Sequence, residues 1–449
     1  MLLPMKQLEA MVRRSPVYRV SGRVTRVSGL LVEGSLPGAR LGMVCRLKLP
    51  GMRLDEAVPA EVVALGHDRT VSLMPLGGVT GIHAGAEIHT TNEEPSVVVG
   101  RGLLGRVLDG WGTPIDGKGS VTSSANPVRY LLDPPPMNPL ERGDVDAPLS
   151  VGVRSIDALL TCGRGQRMAI LAGAGVGKST LLGMMCRNTD ADVTVMALVG
   201  ERSREVKRFV EHDLGPEGLK RGVVVAAVSD QAPALRVRAA RVATSIAEYF
   251  RDQGKRVLLL VDSLSRVAMA QRELGLAVGE PPATRGYPPS SFAIIPRLLE
   301  RAGPGTNGGS ITAFYTTLLE GDDLGDPIGD HVRATTDGHI VLSRRMADRG
   351  QFPAVDVLKS TSRVMGDIAQ PDHAEAARTI RQLMADYDDV EELVTLGAYK
   401  LGTQAKYDRA LTAAPDIARW RAQRVEEDAD MDESIAGLMG LAAKHGGNG

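Results

Sequence analysis

Residues 172–180 read Ala-Gly-Ala-Gly-Val-Gly-Lys-Ser-Thr, directly after the apolar run Met168-Ala169-Ile170-Leu171. An apolar strand that breaks into glycines and resumes as a helix at Gly-Lys-Ser is the layout of a phosphate-binding loop. Gly173, Gly175 and Gly177, with Ala174 and Val176 between them, let the backbone curl until successive N–H groups converge on phosphate oxygens. A helix starting near Lys178 adds the positive end of its dipole, and Lys178 adds a full charge. Ser179 supplies a hydroxyl of the kind that ligates Mg²⁺, and Thr180 completes the motif. The first position is Ala172 rather than Gly, a variant in which a small residue suffices. An ordinary Gly-rich turn would need neither the lysine nor the serine in register. A nucleoside triphosphate site is expected.

Around this loop the chain of 449 residues changes texture three times. Residues 1–17 carry Leu2, Met5, Leu8 and Val12 at near-helical spacing, a stripe that packs on its own protein or docks a partner. Residues 18–95 are rich in Val and Gly with many short strand-like segments, which predicts a small β-barrel. Residues 96–370 alternate apolar strands with helices. Arg167–Leu171, Val193–Val199, Val223–Val228, Val257–Asp262, Ile311–Tyr315 and His339–Leu342 read as buried strands of a parallel sheet, with Ala232–Phe250 and Leu264–Leu274 the clearest helices. Residues 371–449 lose the strands, and 373–386, 389–396, 404–412 and 431–444 read as amphipathic helices.

Composition excludes more than it assigns. Lys plus Arg (53) nearly equals Asp plus Glu (54), so no bulk charge draws the chain to nucleic acid or membrane. Cys45, Cys162 and Cys186 have no metal-type or paired spacing, as expected of a reduced, cytoplasmic protein. No apolar run approaches the roughly 20 residues a bilayer span requires.

Two further strand ends carry chemistry. Val257–Val261 leads into Asp262, which places a carboxylate beside the phosphate loop, within reach of the water shell of Mg²⁺. Val199-Gly200-Glu201-Arg202 ends another strand at the same edge of the sheet. There Glu201 can polarise a water for attack on the γ-phosphate and Arg202 can face phosphate charge. Alternatively Glu201 only starts a helix and Arg202 is a solvated partner. Ser360-Thr361-Ser362-Arg363 would by itself be a polar surface turn.

Several stretches resemble the rotary-type ATPases: Gly200-Glu201-Arg202-Ser203-Arg204-Glu205-Val206, Asp262-Ser263-Leu264-Ser265-Arg266, Gly286-Tyr287-Pro288-Pro289-Ser290 and Phe352-Pro353-Ala354-Val355-Asp356. Ala268-Met269-Ala270-Gln271-Arg272-Glu273, Gly279–Arg285 and Glu320-Gly321-Asp322-Asp323 are more closely similar to the type III protein-export ATPases, and Ser229-Asp230-Gln231 and Leu396-Gly397-Ala398-Tyr399 to their flagellar branch. The resemblance covers roughly residues 18 to 425 and implies an α/β fold: a RecA-like P-loop ATPase domain between an N-terminal β-barrel and a C-terminal helical domain. It implies ATP and Mg²⁺ as ligands, Glu201 as the catalytic carboxylate, Asp262 as the strand-end aspartate, and Arg202 and Arg266 as basic residues near it. Arg363 matches an arginine finger that reaches a neighbouring subunit's nucleotide. Phe352 falls where the family usually has a Tyr against adenine, and Phe keeps the stacking face. Ser265 stands where Thr is usual. Trp420-Arg421 replaces a more apolar pair, which weakens the expectation of a C-terminal contact to the base.

Because Glu201 and Arg363 share one chain, a ring of identical copies would complete every site at its own interfaces. The resemblance further implies a homohexamer with a coiled-coil stalk protein, a regulatory subunit, export substrates and their chaperones as partners, and peripheral association with an export gate at the inner face of the cytoplasmic membrane. The loops Val278–Pro289 and Glu320–Pro327 are expected to face the ring's hole. The first alternative is the ATPase of a virulence secretion apparatus. An RNA translocase would need aromatic platforms in its first domain, and residues 1–95 hold one aromatic, Tyr18. A nucleotide-binding subunit without turnover would not require Glu201.

Overall fold

The computed structural model describes residues 21–91, 94–121, 128–319, 321, 323 and 325–446. The N-terminal stripe (Leu2 to Val12), Tyr18, Glu320 and Asp322 lie outside the described residues. Two compact units emerge: 21–96 with 232–234 and 273–281, and the remainder.

In the first unit six antiparallel strands close into a barrel. They are β1 (Ser21–Ser28), β2 (Leu31–Ser35), β3 (Val44–Lys48), β4 (Val58–Leu65), β5 (Thr70–Pro75) and β6 (Glu87–Thr90), in the order β1-β2-β5-β4-β3-β6. Alternation drives this packing: β3 buries Cys45 and Leu47 and leaves its other three residues half-exposed. Aliphatic side chains such as Val32, Leu47, Leu73 and Ile88 fill the interior. A Cβ on Gly34 would sit 2.4 Å from the Ile88 side chain, so only glycine lets β2 pass there.

The second unit is α/β. Its strands are β7 (Ser96–Val99), β8 (Arg106–Asp109), β9 (Val128–Leu131), β10 (Arg167–Ala172), β11 (Val193–Val199), β12 (Gly222–Ala227), β13 (Arg256–Asp262), β14 (Gly303–Pro304), β15 (Ser310–Leu318), β16 (Gly338–Leu342) and β17 (Val355–Ser362). The main sheet runs β17-β16-β10-β15-β13-β11-β12-β8, with β14 paired to β15, while β7 and β9 form a separate ladder. From β16 to β8 all neighbours are parallel, and β17 joins antiparallel at one edge. Every residue of β11 and β12 is buried, which is why these strands read as unbroken apolar runs. The expected strands are present; β8 and β17, shorter or more polar, escaped the sequence reading.

Beyond residue 370 the chain is helical, as expected, but with fewer and longer helices. Pro371–Thr395 is one helix where two segments were expected, since Tyr387-Asp388 contains no breaker and the buried Asp386 and Val390 continue its inward face. Ala405–Arg421 continues through Pro415, held by buried Ala413 and Ile417. Ile380, Leu383, Ile417 and Leu438 share one hydrophobic core with Leu182 and Phe314 of the α/β sheet region. The three cysteines are buried free thiols. Among the described residues no helix is long and apolar enough to cross a membrane.

Candidate functional site

β10 is almost wholly buried and ends at Ala172, where the chain turns through Gly175 (φ +77°) and Gly177 (φ +90°) into the helix Lys178–Asn188. Both glycines occupy the left-handed region that side chains disfavour. Gly177 faces a second constraint, because a Cβ there would meet the Phe352 ring at 3.4 Å. Arg344 Nη2 braces the loop by donating to the Ala174 carbonyl at 2.8 Å. Ser179 is exposed at the first turn of the helix.

The strand order brings three expected residues together. β15 separates β10 from β13, and Leu198 of β11 pairs with Asp262 of β13, so all four strands end at one edge. There Lys178 Nζ pairs with Asp262 and lies 3.7 Å from Glu201 Oε1. Asp262 is 2% exposed and also accepts a hydrogen bond from Thr316 Oγ1 at 2.7 Å. Arg266 fastens Glu201 from the other side. Its Nη1 donates to the Gly200 carbonyl at 2.6 Å and its Nη2 lies 3.3 Å from Glu201 Oε2. Burial pushes the Glu201 carboxyl above the ordinary glutamate range, against the opposing pull of Lys178, and the nearby Asp262 charge adds to the rise. The neighbouring Glu205 carboxyl shifts the opposite way, downward, through its contact with Glu201 and the Arg202 N–H.

Two expected residues do not join this cluster. Arg202 is exposed, with its guanidinium on Glu205 at 3.2 Å. Arg363 lies at the opposite edge of the sheet. β17 runs antiparallel to β16, so Val355 sits beside Leu342 near the phosphate loop and Ser362 sits beside Gly338 at the far end. Four strand residues, about 13 Å at the usual rise, separate the two edges. Arg363 is exposed there, its N–H donating to the Asp337 carbonyl at 3.0 Å.

Beside the loop opens a cleft of about 300 Å³, lined among others by Gly177, Thr180, Met184, Phe352, Gln423 and Val425. Gln423 and Val425 escaped the sequence reading. The sequence places Trp420-Arg421 nearest this position, and the half-buried Arg421 guanidinium turns instead to the Val355 carbonyl and Met346. The C-terminal segment therefore does form a wall of the cleft, two residues further along. Arg154 holds that segment through the carbonyls of Trp420 (2.8 Å) and Ala422 (2.9 Å) and through an ion pair with Glu427.

The loops expected to face a central hole are partly engaged within the chain. Arg285 pairs with Asp323 at 3.3 Å, and Asp326 caps the helix Pro327–Thr335 by accepting from Gly329 N at 2.8 Å.

Known proteins share this arrangement. Residues 24–92 match the ATP synthase alpha/beta family beta-barrel domain, 152–362 its nucleotide-binding domain, and 369–440 the T3SS EscN ATPase C-terminal domain. The chain is 49% identical over 424 residues to the flagellum-specific ATP synthase of Bacillus subtilis (strain 168), covering 94% of this chain and 95% of that protein. It is 47% identical to the type 3 secretion system ATPase of Sinorhizobium fredii (strain NBRC 101917 / NGR234), covering 94% and 92%. The assembled ATPase EscN of enteropathogenic E. coli superimposes with a TM-score of 0.87 at 42% identity, covering 94% of this chain and 99% of that one. The same ATPase has been solved in complex with its central stalk EscO.

Proposed function

This chain belongs to the ATP synthase alpha/beta family, in its group of flagellar and type III secretion ATPases, and from that premise we propose how its residues turn over ATP and in what assembly. The triphosphate rests on the N–H groups of Gly173 to Thr180, with Lys178 on its terminal phosphates. Phe352, Gln423 and Val425 enclose the base. The Ser179 hydroxyl and the Asp262 carboxylate suit Mg²⁺. Among the described residues no three His, Cys, Asp or Glu side chains gather into a cage, and Mg²⁺ commonly takes one or two protein ligands plus phosphate and water oxygens. The ion, when bound, neutralises charge on the phosphates. Glu201, half-buried and oriented by Arg266, accepts the proton of the attacking water.

One observation carries the assembly. Lys178, Asp262 and Glu201 converge at one edge of the sheet, while Arg363 is exposed at the other. A chain built this way cannot stabilise its own transition state with Arg363 but can serve a neighbour's. Identical copies in a head-to-tail hexameric ring would satisfy this at every interface. An isolated subunit should hydrolyse ATP poorly and gain specific activity as rings form.

Mixing tests it. Glu201→Gln and Arg363→Ala are each expected to lose about 10³-fold in rate. Combined, they should regain turnover, because some interfaces then hold an intact Glu201 facing an intact Arg363. Full activity in Arg363→Ala alone, or no recovery on mixing, overturns the reading.

The activity energises protein export through a flagellar apparatus, a reading supported by the flagellar relative at 49% identity. The Sinorhizobium relative at 47% favours the second reading, a virulence-type secretion system. Loss of filament export in a deletion strain supports the first, and loss of needle-type secretion with intact motility supports the second. Because EscN is known with its central stalk EscO, a coiled-coil stalk is proposed to contact residues 278–289 and 320–327. Asp323→Lys should weaken stalk-stimulated turnover, and unchanged stimulation argues against that contact. A regulatory subunit, substrate chaperones and an export gate at the inner membrane face complete the proposed setting.

A further inference from the structure

Arg363 is exposed at the sheet edge opposite the phosphate loop, and only its backbone is held. Its guanidinium makes no hydrogen bond or ion pair among the described residues, so where it can reach is set by the chain that carries it. That chain is pinned at two points. The Arg363 N–H donates to the Asp337 carbonyl at 3.0 Å, and the preceding Ser362 Oγ donates to the Thr161 carbonyl at 2.8 Å.

A buried amide ties the two points together. Gln166, 0% exposed, directly precedes β10. Its Nε2 donates to Ser362 Oγ at 3.1 Å and to the Asp337 carbonyl at 3.2 Å, while its Oε1 accepts from Gly163 N at 2.8 Å. A flipped amide would set oxygen against the Asp337 carbonyl and NH₂ against an N–H, so these partners fix its orientation.

Asp337 is held in turn by Arg167. Its carboxylate accepts from Arg167 N and Nε at 3.0 Å and from Nη2 at 3.2 Å, and its N–H donates to the Arg167 carbonyl at 2.8 Å. A forked pair of this kind fixes direction as well as distance. Gly338 adds a packing constraint. A Cβ there would lie 2.5 Å from the Thr361 carbonyl oxygen and 2.7 Å from Met168 Sδ, so β16 and β17 approach closely just before Arg363. The cluster lies at the start of β10, about 17 Å along that strand from the phosphate loop.

We infer that Gln166 and the Arg167–Asp337 pair are positioning residues for Arg363: they fix the chain at Asp337 and Ser362 and so set where the guanidinium meets the neighbouring subunit's nucleotide. The inference rests on the reading of Arg363 as serving a neighbour's site. If the cluster only stapled strands, its loss would harm the subunit's own site or its fold. If it aims Arg363, the harm falls on the neighbour's site, and mixed rings separate the two.

The experiment is ATP hydrolysis by assembled full-length protein carrying Asp337→Ala, alone and mixed with Glu201→Gln or Arg363→Ala. Alone, Asp337→Ala is expected to lower kcat by about 10²-fold, the cost of misplacing a catalytic group by about 1 Å, with KM for ATP little changed. Mixed with Glu201→Gln it should regain turnover, because its intact Glu201 then meets a well-aimed Arg363 from the other copy. Mixed with Arg363→Ala it should regain none, since no interface then holds a well-aimed guanidinium. Combined with Arg363→Ala in one chain, it should cost little more than Arg363→Ala alone. Gln166→Leu, which leaves the Arg167–Asp337 pair in place, repeats every arm should Asp337→Ala fail to assemble. Unchanged kcat, recovery with Arg363→Ala, no recovery with Glu201→Gln, or a full further loss in the double variant each overturn the inference. The mixture of Glu201→Gln with Arg363→Ala is the control. If those two do not complement each other, the reading of Arg363 itself fails and this inference falls with it.

Discussion

The Lys178 ammonium stands 3.7 Å from the half-buried Glu201 carboxylate while also pairing with the buried Asp262, and Arg266 holds Glu201 from its other side at 3.3 Å. The Lys178, Glu201 and Asp262 side chains are 13%, 14% and 3% exposed, and without the lysine Asp262 would keep only the Thr316 hydroxyl while Glu201 would keep Arg266. An incoming triphosphate would compete for that lysine. Removing it should expose the stress Asp262 places on the fold.

Lys178→Met is accordingly expected to abolish ATP turnover and to destabilise the nucleotide-free protein by about 3 kcal/mol at neutral pH, the range for breaking a buried ion pair. The deficit should shrink as pH falls, because protonating the abandoned Asp262 carboxylate removes its charge. Urea unfolding of wild type and variant across pH tests both parts. A pH-independent deficit would show that Asp262 is not the cause.

Burial raises the Glu201 pKa, and a general base must be ionised. Turnover should therefore fall on acidification, with an apparent pKa above the ~4.3 of free glutamate. Glu201→Gln should lose about 10²–10⁴-fold in kcat and lose that acid limb. The linkage runs the other way for stability. A raised native pKa means the native state binds the proton more tightly, so this group favours folding most below the ordinary glutamate range, and its contribution is lost as pH rises through the native pKa. An unchanged acid limb in Glu201→Gln would remove Glu201 from the base role.

Thr316 acts on the same cluster from β15, its hydroxyl bonded to Asp262 at 2.7 Å. Thr316→Val keeps the shape and removes the donor from a buried charge, which should cost about 1.5–3 kcal/mol of stability. A drop in kcat is expected with little change in nucleotide KM, and Thr316→Ser should restore both. Thermal unfolding with initial-rate kinetics reads the split, and equal loss in the Ser and Val variants would discount the hydroxyl.

Asp262 and Glu201 were legible because an apolar run leading into a charged residue places it at a strand tip, and Lys178 because its strand breaks into glycines ahead of Gly-Lys-Ser. Parallel strands put their carboxyl ends at one edge, so three separate signals implied one site. The barrel was legible from short strands and frequent turns, and the apolar sheet strands from their runs. Arg363 had no such local signal. Its place depends on β17 being antiparallel, a property of how strands pair over distance. The same holds for Gln423: nothing in its neighbourhood announces that Arg154, 269 positions away in sequence, would claim its amide.

Local chemistry thus specified the phosphate grip and the strand-end acids, since loop curvature, helix dipole and apolar periodicity act over a few neighbouring residues. Folding in three dimensions decided which edge of the sheet carries Arg363, which segment walls the cleft beside Phe352, and which hydrogen-bonding groups are already spent. Those outcomes come from strand direction and from buried polar groups finding partners far along the chain, and both become defined only when the core closes.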